Sequence, residues 1–145
     1  MLIDTGDVHL MYQIAMALLV THFIGDFVLQ SHWMASNKSK RIDALLLHVG
    51  IYSVTISLLP VIFWIFGMIS IKNGLIFTGG NALIHLITDF ITSKISSKLW
   101  TEQKWHYFFT MIGFDQLLHT ITLLLTMTWL IDTIIDNPSI VFNLQ

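Results

Sequence analysis

The chain has 145 residues, of which 54% are hydrophobic and 11% charged, and its mean hydropathy is +0.73. A soluble domain carries about a quarter charged residues, so the composition is that of an integral membrane protein. The absence of cysteine excludes disulfides and thiolate metal sites. A formal charge of −2, with no basic cluster larger than Lys38, Lys40 and Arg41, gives no case for nucleic acid as a partner.

The first ten residues, MLIDTGDVHL, contain acids and no Lys or Arg. They lack the positive region of a signal peptide, so the apolar run behind them is expected to remain as a membrane span. A span needs roughly 20 mostly apolar residues, and four stretches qualify, at about 10–30, 44–67, 74–95 and 107–131. The connections are SHWMASNKSKRID, a short turn near IKNG, and ISSKLWTEQKW. With no long loop, repeat or low-complexity tract, the expectation is an all-α, four-helix membrane bundle forming a single domain, residues 1–145. Pro60 falls inside the second span, where a kink is tolerated. Gly79 and Gly80 suggest a close helix contact in the third.

Basic residues orient the bundle. Lys38, Lys40 and Arg41 follow the first span, and Lys94, Lys98 and Lys104 lie between the third and fourth. Only Lys72 falls on the opposite side. The positive-inside rule then places both basic linkers in the cytoplasm and both termini outside, in an inner (cytoplasmic) membrane. Asp4, Asp7, Asp132 and Asp136 sit at the outer ends. Trp33, Trp100 and Trp105 mark the inner boundary, and Trp64 and Trp129 the outer one.

Polar residues interrupt each span. The first ends in THFIGDFVLQ, with His22 and Asp26 four residues apart. The third contains HLITD, giving His85 and Asp89 the same spacing, and the fourth DQLLH, giving Asp115 and His119 in reverse order. The second opens DALLLHV and contributes His48. Residues four apart share a helix face, with Cβ atoms about 5–6 Å apart, so one turn can aim an imidazole and a carboxylate at one ion. Counted from the inner boundaries, Asp26, His48 and Asp89 lie roughly 7 Å deep, His22, His85 and Asp115 roughly 11–13 Å, and His119 roughly 17 Å. Four helices thus place polar groups at one level.

An Asp at a helix centre costs about 2.5–3.5 kcal/mol on insertion scales, so three unpaired ones cost on the order of 8–10 kcal/mol, less where they sit off-centre. Divalent cations held by imidazole and carboxylate would offset that cost. The expected metal ligands are therefore His22, Asp26, His48, His85, Asp89, Asp115 and His119. They are enough for one or two ions, zinc first among the candidates, with an Asp as a possible bridge. Two other readings stand beside this one: a His–Asp hydrogen-bond network that glues the helices, and a proton or ion relay. His9, His32 and His106 read as interfacial, and Met11, Met16, Met68, Met111 and Met127 as packing. Gln30 and Gln116 suit helix packing or substrate contact equally.

HFIGDFVLQ, followed by Trp33-Met34 and Lys38, then LLLHV, HLITDF and DQLLH, resembles the domain of unknown function 3307 family over about residues 20–120. That is a small membrane family of bacteria and phages. The resemblance implies a multi-pass inner-membrane protein and brings no activity with it. More distantly, the HxxxD pairs are similar to those of membrane-bound metal-dependent hydrolases and of the all-helical zinc phospholipase C and P1-type nuclease group. Those enzymes hold zinc with His and Asp on helices and cut phosphoesters. The soluble members also use an N-terminal tryptophan. This chain has Met1 and no Trp before Trp33, so one or two ions are expected and not a trinuclear cluster.

The resulting expectation is a metal-dependent hydrolase acting on a phosphoester of a lipid or lipid-linked phosphate at the cytoplasmic leaflet. A water on the metal, its pKa lowered towards about 7, is the expected nucleophile. Asp26 or Asp115 is the base. Gln30, Lys38, Lys40, Arg41 and Gln116 are the candidate substrate contacts, with the basic three also serving as topology determinants. The alternatives are a non-enzymatic phage or host envelope factor and a small ion or proton carrier. The carrier is disfavoured because no matching polar group is evident in the outer half of any span.

Overall fold

The structure, a computed structural model, describes residues 5–135. Asp4 and Asp136 lie outside these residues, as does the side chain of Asp7. Helix α1 (Thr5–Phe23) runs into a π-helical turn (Ile24–Val28), followed by α2 (His32–Asn37), α3 (Ile42–Ile56), α4 (Leu58–Ile65), α5 (Ile71–Thr101) and α6 (Trp105–Ile135). No strand occurs among the described residues. Four stretches are long and apolar enough to cross a membrane: Met11–Val28, Ile42–Ile65, Ile71–Thr101 and Trp105–Ile135. Helices α5 and α6, of 31 residues each, reach about 46 Å. Both therefore exceed the roughly 30 Å hydrocarbon thickness.

The element boundaries correct the sequence reading at three places. The turn between the second and third spans lies just before IKNG, so the third helix begins at Ile71 and not at 74. Gly67, with φ +70°, ends α4 in a Schellman motif: its N–H donates to the Trp64 carbonyl and the Met68 N–H to the Phe63 carbonyl. Ser70 then caps α5 by accepting from the Asn73 N–H, so IKNG is the first turn of a helix. At the other end α5 absorbs most of ISSKLWTEQKW and leaves Glu102–Lys104 as the connection. Gln103, at φ 56°, closes it with a second Schellman pair, Gln103 N–H to Trp100 O and Lys104 N–H to Leu99 O. Lys104 lies 2.8 Å from Glu102, and this contact holds the Glu102 carboxyl below its usual range. Within SHWMASNKSKRID a short helix, α2, forms behind a Ser31 cap.

The second span breaks at Ser57, and Pro60 sits in the first turn of α4, where its missing N–H costs little. The Gly79–Gly80 expectation fails, since a Cβ on either would meet no atom within 4 Å. The close approach is at Gly25 instead. A Cβ there would lie 3.2 Å from Thr55 Cβ and 3.4 Å from Tyr52 Cα, so Gly25 lets the π-helical turn lie against α3. Gly25→Ala is expected to cost about 1–3 kcal/mol through overpacking, and Gly79→Ala and Gly80→Ala to stay within about 0.5 kcal/mol. Unfolding in detergent measures the difference, and equal stabilities for the three variants would contradict this packing.

The interior is layered. One half of the bundle holds an apolar core that includes Leu18, Ile56, Phe77, Leu123 and Leu130. Polar contacts enter that half at buried Asn81, which donates to Thr126 Oγ1 at 2.9 Å and to the Phe77 carbonyl. The pair is closed on itself, with Thr126 Oγ1 donating back to Asn81 Oδ1 at 3.2 Å, and adds neither His nor Asp to that half. The five tryptophans are all exposed, as an aromatic belt requires. Met127 is in the core, with Met11 and Met68 packed against it, whereas Met16 faces outward. Towards the α2 end the apolar core gives way at Tyr52 to a buried polar group, with Met34, Ala44, Leu45 and Val49 also buried at that end.

A buried histidine–aspartate centre

Five elements, from all four spans, deliver the polar side chains. The end of α1 supplies His22 and the π-helical turn Asp26; α3 supplies His48, α5 His85 and Asp89, and α6 Asp115 and His119. Six of these are buried, and Asp115 is 15% exposed at its side chain. The π-helical turn, closed by a Leu29 N–H to Ile24 O bond of 2.9 Å, inserts extra backbone where Asp26 projects, a distortion frequent at functional sites.

The tightest contacts join different helices. His48 Nε2 lies 3.1 Å from Asp26 Oδ1, 3.1 Å from Asp89 Oδ2 and 3.2 Å from His85 Nε2. His85 Nε2 lies 3.6 Å from Asp26 Oδ1 and 3.7 Å from Asp89 Oδ2. One imidazole nitrogen carries at most one hydrogen, so the three short contacts of His48 Nε2 cannot all be its hydrogen bonds. Ligand bonds of about 2.0–2.2 Å in a tetrahedron would set neighbouring donors about 3.3–3.6 Å apart. The five distances above, from 3.1 to 3.7 Å, bracket that edge. Asp26, His48, His85 and Asp89 could therefore hold a metal ion. A second group, Asp26, Asp115 and His119, also brings its donor atoms within 4.8 Å of one another.

Surrounding residues fix these donors. Tyr52 stacks on His85 at 3.8 Å and 10°, and His85 stacks on His119 at 4.2 Å. Gln116 accepts from or faces His22 Nε2 at 3.1 Å and donates to Asp26 Oδ2 at 2.7 Å and to Asp115 Oδ2 at 3.2 Å. Gln30 Nε2 lies 3.1 Å from His48 Nδ1. The Thr92 hydroxyl donates to Asp115. Both glutamines thus support the donors directly.

The basic residues of the first linker separate into three environments. Lys38 folds back from the end of α2 and pairs with Asp89 Oδ2 at 2.7 Å, its Nζ 3.5 Å from His48 Nε2. Lys40 is exposed on a cavity wall. Arg41 pairs with Asp43 at 2.6 Å and lies over Trp33, turned to solvent. The cavity, of about 490 Å³, opens beside Asp26, Asp115, Gln30 and Gln116 and runs between α2 and the ends of α5 and α6. Its wall carries Ser93, Ser96 and Ser97 of α5 opposite Ser36 and Ser39, and Trp100 and Phe108 pack together beside it. His9, His32 and His106 are exposed and away from the centre.

Sequence reasoning missed Tyr52, Thr92 and the serine face of α5. The signal for the serines was their spacing, since 93, 96 and 97 repeat at helical period. Tyr52 stands four residues after His48 on the same face.

The fold and this centre define a multi-pass helical membrane protein with a buried His/Asp group at one end of the bundle. It belongs to the DUF3307 family, "Protein of unknown function (DUF3307)", whose family model matches residues 14–144. No curated protein and no solved structure matches the chain.

Proposed function

We propose that the protein is a metal-dependent hydrolase of a phosphoester carried by a lipid or lipid-linked phosphate, with zinc as the metal. The observation that carries this reading is the four-donor cage beside a cavity lined with hydroxyls and lysines. Charge supports it. Asp26, Asp89 and Asp115 face each other across the centre with Lys38 as the one ammonium among them, which leaves two carboxylates for a divalent ion to neutralise. Imidazole and carboxylate donors at tetrahedral spacing suit zinc.

When bound, the ion supplies Lewis acidity and a water acidified towards about neutral pH. Of the two carboxylates named as base, Asp26 gives Oδ1 to the cage. Asp115 stands in the cavity wall, oriented by Thr92 and Gln116, and takes the proton of the attacking water. The water oxygen bonds to phosphorus, the ester P–O bond breaks, and the leaving alkoxide takes the proton that Asp115 collected, which returns Asp115 to its carboxylate form. Lys40 holds phosphate oxygens as a cavity cation, with Lys38 beside it in the lining but paired to Asp89. Arg41, committed to Asp43, serves orientation. An amphiphilic substrate fits a cavity with serines on one wall and Trp100, Phe108 and Ile112 on another.

The cavity opens on the side of the two basic linkers, which supports the cytoplasmic leaflet of the inner membrane. A reporter fused after Gln145 is then expected outside the cytoplasm. A cytoplasmic reporter would move the site to the other leaflet and change the substrate pool. The function itself is tested by phosphate release from vesicles of phospholipid or polyprenyl phosphate. Wild type should release phosphate and lose that activity with chelator; metal-loaded protein that releases none from any of them would overturn the reading.

One observation favours a second reading. The Lys38–Asp89 pair ties the α2 linker to α5, as it would in a non-enzymatic envelope factor pinned by a His–Asp network. An ion or proton carrier is disfavoured by the apolar core above Tyr52.

A further inference from the structure

We infer that the centre takes two divalent cations, the second between the cage and the cavity, and that phosphate strengthens its binding. This rests on the reading of the cage as a metal centre.

The evidence is how the two cage carboxylates are divided. Asp26 faces the cage with Oδ1 and turns Oδ2 to Gln116 at 2.7 Å and His22 at 3.9 Å. Asp89 faces the cage with Oδ2 and turns Oδ1 to His119 at 3.2 Å. His119 Nε2 in turn lies 3.5 Å from Asp115 Oδ1. Asp26 is common to both groups of donors, since Asp26, Asp115 and His119 also gather within 4.8 Å, and Asp89 touches the second group through its Oδ1 contact with His119. A carboxylate bridging two ions in this way fits the spacing of two-metal sites, about 3.5–4 Å. Stacking of His85 on His119 at 4.2 Å holds one histidine of each set side by side.

The two positions differ in access. The cage donors His48, His85 and Asp89 are all but inaccessible, whereas Asp115 lines the cavity. The inner ion would hold the helices together and the outer one would meet substrate. Charge sets their affinities apart. Three carboxylates and Lys38 leave two negative charges, which the inner ion cancels. The outer ion then enters a neutral site and leaves it doubly positive until a phosphate dianion arrives. It should bind more weakly alone and more tightly with phosphate.

The test is a Mn²⁺ or Zn²⁺ titration of chelator-stripped, detergent-solubilised full-length protein, with and without inorganic phosphate, read by calorimetry and by Mn²⁺ paramagnetic resonance. Wild type should bind two equivalents, the second at least about tenfold weaker and tightened by phosphate, with spin coupling between paired Mn²⁺ ions. Asp115→Asn should weaken the second equivalent and leave the first unchanged. A single equivalent in wild type at saturating metal and phosphate would overturn the inference, as would two unchanged equivalents in Asp115→Asn. Two coupled equivalents without any phosphate release would uphold it while refuting the hydrolase; no binding at all would remove both.

Discussion

His48→Ala is expected to be the most damaging single substitution in the chain. His48 is fully buried, and its Nε2 is within 3.2 Å of Asp26, Asp89 and His85. Without it two carboxylates face each other around a hole. Breaking one side of a buried charged group costs about 3–5 kcal/mol, to which the lost linkage of a bound ion adds. Metal affinity should fall by at least about 10²-fold, the upper end of what supporting residues alone contribute. Thermal unfolding in detergent with and without chelator separates the two effects. Wild type should lose stability when stripped, and His48→Ala should be unstable and indifferent to chelator. His85→Ala and Asp89→Ala should behave likewise, whereas His9→Ala and His106→Ala, both exposed, should match wild type. Equal chelator sensitivity in His48→Ala and wild type would show that the ion is held elsewhere.

The second large effect is on rate. Asp115→Asn keeps an oxygen to accept from Thr92 and nearly the same volume, but it cannot take a proton. General-base removal typically costs about 10²–10⁴-fold. The variant should remain folded, retain the cage ion and, at metal concentrations that also fill the outer position, release phosphate that much more slowly. Lys40→Ala, on the cavity wall, should mainly raise KM. An Asp115→Asn protein as fast as wild type would take Asp115 out of the reaction and return the base to Asp26.

The HxxxD pairs made the centre legible because helical period alone puts each pair on one face. What the pairs could not reveal is their mutual arrangement. Within the pairs the distances are the longer ones: 3.9 Å for His22–Asp26, 3.7 Å for His85–Asp89 and 3.5 Å for Asp115–His119. The contacts of 3.1–3.2 Å run between helices, through His48 and from His119 to Asp89. His48, which stands without a carboxylate at helical spacing in its own span, is the hub. Such contacts depend on crossing geometry that no local pattern encodes.

The pairing of Lys38 with Asp89 was hidden for a related reason. The lysine's position beside Lys40 and Arg41 reads as a topology signal, and only the short α2 helix turns it back to Asp89. The four spans were legible from hydropathy, but the ends of α5 were not. Its serines and lysines are compatible with a helix that leaves the hydrocarbon, so composition gave an end too early at 95, and hydropathy gave a start at 74 although the Ser70 cap begins the helix at Ile71. The π-helical turn carries no composition signal beyond Gly25, the residue whose missing Cβ lets it approach Tyr52.

The most direct test of the account is elemental analysis of the full-length protein purified without chelator. The account predicts one or two transition-metal ions per chain in wild type and near-complete loss in His48→Ala. Wild-type protein that is folded and carries no metal, and that takes up none when offered zinc or manganese, would contradict it.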